Sequence, residues 1–363
     1  MAIRKFVALV MLAGLCGSSQ VSAEGNVVNV YNWADYVAPS SLAFFRHDTG
    51  IEPHYDIFDA NEVLESKLMA GHSGYDVVVP SNHYLPRLIK AGALAPLDRS
   101  LLPNFSGIDD RILRLMNSSD RGNRYAVPYL WGSSGIAYNQ EKVSRVLGVD
   151  HIDSWGVLFD PAMAKRLSAC GIAMMGSPDE VYGAALNYLG VRVSDASVND
   201  YDAATVLIRK VRPYITYFHS SKYVSDLANG NICIAMSYSG DAVQAMNRAA
   251  EAGGGKRIEY VIPKEGGSMW VDVFAIPSDA RHKVEAHAFI NFMISPEHIA
   301  QVTQYTGYAN ACPSSQRFLP ADIHSDEAIY PSSVSLSRLH LSVMPSVEVQ
   351  RYVTRAWNSL KKS

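Results

Sequence analysis

The sequence is poor in cysteine, with four among 363 residues and no C-x-x-C pair. That excludes a thiolate zinc knuckle and a thioredoxin-type redox centre. Past its first residues it has no apolar run long enough to span a bilayer. Neither G-x-S-x-G nor H-E-x-x-H occurs, which removes the signatures of an α/β-hydrolase and a zinc protease. An excess of one charge is missing as well: 32 Lys and Arg stand against 35 Asp and Glu, a formal charge of −3. This balance argues against nucleic acid or an anionic membrane as partner and mildly favours a cationic ligand. Internal repeats and low-complexity linkers are not found.

What is present begins with an export leader. Arg4 and Lys5 precede a short apolar stretch over residues 6–15, and Val21-Ser22-Ala23 offers a cleavage site, so residues 1–23 are expected to be removed. Leu15 before Cys16 departs from the small residue that precedes a lipidated cysteine. Loss of Arg4 and Lys5 takes the formal charge to about −5, and the mature chain is expected in the periplasm. Three cysteines then remain. In an oxidising compartment, one bridged pair and one spare thiol is one expectation, and three buried thiols is the other. Cys170 and Cys233 both adjoin apolar, strand-like segments that adjacent strands would bring into range.

Strands and helices alternate along the chain. Residues 27–31 read as a strand and 61–70 as a helix, with Asn61 as cap and Gly71 as terminator. Residues 75–80 form a near-continuous apolar strand, as in a sheet covered on both faces, and 84–91 a short helix. Residues 283–294 read as a helix with a stripe at Val284, Ala288 and Phe292. The length exceeds one usual domain, so two α/β units are expected, with ligand beyond the carboxyl ends of strands.

Four segments lie at such places. They are Trp33-Ala34-Asp35-Tyr36, the stretch around Ser81, Tyr238-Ser239-Gly240-Asp241, and Trp270-Val271-Asp272. In three of them an aromatic stands one to three residues from an Asp. Glu180 at a helix start adds a carboxylate, and Tyr308 adds an aromatic in a loop. A carboxylate between aromatic faces suits an organic cation, because the ring quadrupole attracts ammonium and the ring packs on methylenes. Each residue also has a plainer reading. Trp33 and Trp270 fit a core, Asp35 and Asp241 fit turns or caps, Ser81 fits an N-cap, and Glu180 complements a helix dipole.

At this point the chain resembles the periplasmic putrescine- and spermidine-binding proteins of ABC importers, in pattern most like the putrescine receptors. The resemblance is carried by Tyr31 to Tyr36, Asn61 to Glu65, Lys67 to Gly71, Tyr217 to Ser221, Asp226 to Gly230 and Asp272 to Ala275. It covers essentially the whole mature chain. It implies an α/β, two-lobed periplasmic-binding-protein (flytrap) fold, each lobe a mixed sheet flanked by helices. The expected division is 26–130 and 251–315 for lobe 1, and 131–250 and 316–363 for lobe 2. It also implies that Trp33, Tyr36, Tyr238, Trp270 and Tyr308 line the cleft, and that Asp35, Glu180, Asp241 and Asp272 serve amino groups, some through water. Ser81 would hydrogen-bond one ligand end, Ala34 would lie in the same box, and Cys170 and Cys233 would be bridged. Three positions depart from the pattern: Ala34 replaces Ser, Tyr238 replaces Trp and Trp270 replaces Phe.

The expected function is therefore a receptor for a short diamine or polyamine, without catalysis, cofactor or metal. Its expected partners are the amine and the permease subunits of an ABC transporter, with the receptor a monomer that binds no nucleic acid. Paired carboxylates can also hydrolyse glycosides, but here acids are interleaved with aromatics. A receptor for an ω-amino acid such as γ-aminobutyrate would need Arg, Lys or a helix N-terminus for the carboxylate, and none of the four segments contains Arg or Lys. A sensor protein in place of the permease would change the output and keep the ligand.

Overall fold

The structure is a computed structural model that describes residues 26–253 and 257–362. The leader expected at 1–23 lies outside the described residues. Twelve strands form the sheet among these residues. They are β1 (Val27–Trp33), β2 (Glu52–Phe58), β3 (Val77–Val78), β4 (Leu94–Ala95), β5 (Ala126–Asn139), β6 (Ile172–Met174), β7 (Tyr217–Phe218), β8 (Ile234–Tyr238), β9 (Ile258–Val261), β10 (Gly267–Pro277), β11 (Ala309–Asn310) and β12 (Leu339–Leu341). Their main order is β2-β1-β3-β10-β5-β8-β6-β7.

One long strand, β5, pairs in both halves of this sheet, and β10 lies beside its first part. The first part of β5 runs antiparallel to β10, from Ala126 opposite Ala275 to Ser133 opposite Met269. Its second part pairs instead with β8, from Ser134 opposite Tyr238 to Tyr138 opposite Ile234. Every residue of β5 is buried, which is why its sequence shows no alternation. One core gathers Val28, Phe45, Val77, Phe274 and Phe289; another gathers Tyr138, Trp155, Leu186, Ile234 and Trp357. The molecule therefore has two α/β lobes with the continuous strand β5 between them.

Several local expectations change in the structure. Helix Asn61–Ala70 ends at Gly71 with positive φ as expected, but Ala60 is its N-cap. The Asn61 side chain is drawn away to Ser81. The strand expected over 75–80 keeps ladder pairing only at Val77 and Val78. Helix Lys283–Met293 exists, and two residues of the stripe named for it, Ala288 and Phe292, pack half-buried on the first core, whereas Val284 does not. Val284 is 65% exposed, and Ala286, Phe289, Ile290 and Met293 turn inward. A spacing of four drifts around a 3.6-residue turn, so Val284 falls outside the buried face.

β9, at 258–261, pairs with the second part of β5. Ile323, Ile329, Leu339 and Met344 pack on the first core, and helix Val347–Lys362 packs on the second. Cys170 and Cys233 are disulfide-bonded, with Cα atoms 5.4 Å apart. They precede β6 and β8, which are parallel neighbours. Cys312 is buried and free.

Candidate functional site

The site is built around β10. Ser268, Trp270 and Asp272 alternate along this strand and so share a face. The ladder with β5 shifts register between Val271 and Val273, and such a bulge re-aims a side chain. Two bonds clamp the bulge: Val271 N–H donates to Asn82 Oδ1 at 3.0 Å, and Val273 N–H donates to the Pro80 carbonyl at 3.0 Å.

Between these bonds the Asp272 carboxylate is held from both sides. Ser81 Oγ donates to Oδ1 at 2.5 Å and Tyr36 Oη donates to Oδ2 at 2.8 Å. Asn61 in turn donates to Ser81 Oγ at 3.0 Å. Burial pushes the Asp272 carboxyl up to about 7, with the two hydroxyls opposing the shift. Burial, followed by the nearby Asp272 charge, holds the Tyr36 phenol well above its ordinary range, so it remains a donor.

Asp241 forms a second centre in the first turn of helix Ser239–Glu251. Tyr223 donates to Oδ2 at 2.6 Å and Tyr308 to Oδ1 at 2.9 Å. Desolvation raises this carboxyl also, against the two phenols. Glu180, in the first turn of helix Pro178–Tyr188, accepts from Ser268 Oγ at 2.7 Å and is likewise raised by desolvation. Its neighbour Asp179 touches solvent but is surrounded by protein. That crowding, then the charges of Glu180 and Glu62, push it up to about 6.

Aromatic rings connect these acids. Tyr36 meets Tyr308 at 5.6 Å between centroids, Tyr308 meets Trp270 at 5.1 Å, and Trp270 meets Tyr238 at 6.1 Å with the planes at 90°. The Tyr238 phenol is raised by burial and then by the charges of Glu180, Asp241, Asp272 and Asp179. These four carboxylates come from three places in the sequence. No Lys or Arg hydrogen-bonds to Tyr36, Ser81, Glu180, Tyr238, Asp241, Asp272 or Tyr308 among the described residues.

The turn after β1 is less integrated. Trp33 packs on Phe58 at 4.5 Å rather than on the ring series. Ala34 and Asp35 are exposed, and Asp35 has φ 54°, a left-handed turn conformation that aspartate tolerates. The capping alternative for Ser81 fails, since its hydroxyl goes to Asp272 and caps nothing. Three contributors were not singled out from sequence: Ser268, Tyr223 and the Asn61 side chain. The period-2 alternation through 268, 270 and 272 would have found Ser268. Tyr223 carries no local signal, because it sits on the buried face of helix Lys222–Asn229.

Rings and carboxylates thus stand together along β10 and the first turns of helices Pro178–Tyr188 and Ser239–Glu251. The chain belongs to the bacterial extracellular solute-binding protein family, which it matches over residues 48–331. It is 43% identical to the putrescine-binding periplasmic protein SpuD of Pseudomonas aeruginosa, over 99% of this chain and 98% of that one. It is 42% identical to the putrescine-binding periplasmic protein PotF of Escherichia coli, over 94% and 93%. Among solved structures, it superposes on the spermidine/putrescine ABC transporter substrate-binding protein PotD from Streptococcus pneumoniae with TM-score 0.79 and 27% identity, covering 93% of this chain and 99% of that one. The fold is thus the two-lobed periplasmic-binding-protein fold expected from the sequence.

Proposed function

We propose that this protein is a periplasmic receptor that captures a short diamine or polyamine, putrescine first and spermidine next, and hands it to the permease of an ABC importer. The observation that carries this reading is the ring series Tyr36, Tyr308, Trp270 and Tyr238 beside two buried carboxylates, Asp272 and Asp241, each held by two hydroxyls. A primary amine near neutral pH is an ammonium, and burying it costs several kcal/mol unless a carboxylate compensates. An ammonium at each end calls for acids at both ends of a slot, and separate centres at Asp272 and Asp241 suit that need. Each carboxylate oxygen of Asp272 and Asp241 accepts one hydroxyl, which leaves lone pairs for a ligand donor. Trp270, Tyr238, Tyr308, Tyr36 and Trp33 would hold the methylene stem, each ring adding roughly 0.5–2 kcal/mol with a nearby cation. Ala34 and Asp35 would close the mouth.

The lobes would be 26–133 with 267–344, and 134–262 with 347–362. They would close about β5, which runs through both, because only the closed state puts both walls on the ligand. The receptor acts as a monomer in this reading.

One observation favours the second reading, an ω-amino acid. Trp33 Nε1 and Trp270 Nε1 are buried donors with no acceptor among the described residues, and an ammonium supplies none. A titration series with putrescine, cadaverine, agmatine, spermidine, γ-aminobutyrate and 5-aminovalerate separates the two. Binding confined to the amines supports the proposal, and binding confined to the amino acids replaces it.

A further inference from the structure

The aromatic wall rests directly on backbone, and two glycines make the room. Gly132 lies opposite Trp270 in the β5–β10 ladder. A Cβ at Gly132 would stand 2.6 Å from Trp270 Cζ2, 3.0 Å from Ser239 Oγ and 3.0 Å from Tyr308 Cδ1. A Cβ at Gly240 would stand 2.6 Å from both Cε1 and Cζ of Tyr308. Neither glycine has a positive φ, so the backbone conformation does not require glycine at either place. Gly240 even occupies a helix, where alanine is intrinsically better. What the two positions supply is space.

The space decides where the rings stand. The backbone at Gly132 is fixed by the strand on either side, with β11 paired at Leu130 and Trp131 and β8 paired from Ser134. Any added atom there must be met by movement of the indole. Tyr308 and Tyr238 flank that indole at 5.1 and 6.1 Å, so a displaced indole presses on both rings. Tyr308 is coupled to an acid as well, since its hydroxyl bonds Asp241 at 2.9 Å.

We propose that Gly132 and Gly240 are specificity-determining positions: they let Trp270 and Tyr308 lie back against the strand and helix, and so set the length of diamine the slot accepts. This rests on the amine reading above. Their role is positional, since neither offers a side chain to a ligand.

The test is Gly132→Ala, titrated calorimetrically with 1,3-diaminopropane, putrescine, cadaverine and spermidine. The expected result is that the two longer amines lose about tenfold or more relative to 1,3-diaminopropane, as overpacking a filled site does. Trp270→Phe in the Gly132→Ala background should return the lost range, because the smaller ring leaves room for the added methyl. Equal affinities before and after Gly132→Ala, or an equal loss for all four that Trp270→Phe does not relieve, would overturn the proposal. If Gly132→Ala does not fold, Gly240→Ala makes the same test through Tyr308, with Tyr308→Phe as the control for its hydroxyl.

The indole emission of the ligand-free proteins gives a readout that needs no amine. Gly132→Ala should shift it, and the shift should vanish when Trp270→Phe is added. Should wild-type protein bind none of the amines, the functional reading fails, while the emission result still decides whether Gly132 seats Trp270.

Discussion

Asp272 concentrates the physical tension of the site. Its carboxyl is buried and rises from an ordinary value of 3.8 to about 7. Because the folded value lies above the unfolded one, the neutral acid is the form the empty protein favours. Its contribution to stability is full below pH 3.8 and is lost as pH rises through about 7. An ammonium beside it reverses the preference and expels the proton. Two outcomes follow at this scale. Putrescine affinity should tighten from pH 5 to pH 8, and titration at pH 6.5 in buffers of different ionisation enthalpy should show net proton release. Asp272→Asn should weaken putrescine by on the order of a hundredfold or more, as loss of one partner in a buried charge pair does. The same variant should melt at or above the wild-type temperature when empty at pH 8, since it removes the desolvated charge. A drop in both affinity and melting temperature would make Asp272 a structural residue instead. Asp272 and Tyr36 were legible because an acid and a ring stand in one short segment. Tyr223 and the Asn61 side chain were not, because their partners are fixed by folding, at sequence separations of 18 and 20 residues.

At the scale of elements, β5 and β10 matter most. An unbroken apolar strand such as β5 reads as buried on both faces, but the sequence does not say that its two halves pair with different strands. Pairing with β10 and β9 joins residues more than a hundred positions apart, and no local pattern encodes that. Helix Lys283–Met293 illustrates the same limit: its existence was legible, and its buried face was set by the strand it packs on. The Cys170–Cys233 bridge closes a loop of sequence separation 63 next to β6 and β8. Loop entropy assigns such a closure about 4 kcal/mol. The double variant Cys170→Ser/Cys233→Ser should therefore unfold at lower urea, with putrescine affinity retained, because neither sulfur touches the acids or the rings. Loss of affinity in well-folded double variant would mean that the bridge also shapes the cleft.

For the whole molecule, packed lobes joined by the continuous strand β5 imply rigid lobes and bending between them. The fold class was legible from alternation of elements and from the resemblance. The pairings of β9 with β5 and of β12 with β10 were not, since each joins residues far apart in the sequence. Saturating putrescine should reduce the radius of gyration in small-angle X-ray scattering while light scattering continues to report one chain. An unchanged radius would contradict closure. The most direct test of the central claim, a cage with acids for both ends of an organic dication, is calorimetric titration of mature protein refolded free of ligand. Putrescine, cadaverine and spermidine are set against butylamine and γ-aminobutyrate. Tight one-to-one binding of the diamines or the triamine, with butylamine and γ-aminobutyrate at least a hundredfold weaker (about 2.7 kcal/mol), is the expected result. Butylamine or γ-aminobutyrate binding as tightly as putrescine would contradict it, because a single ammonium would then satisfy the cleft.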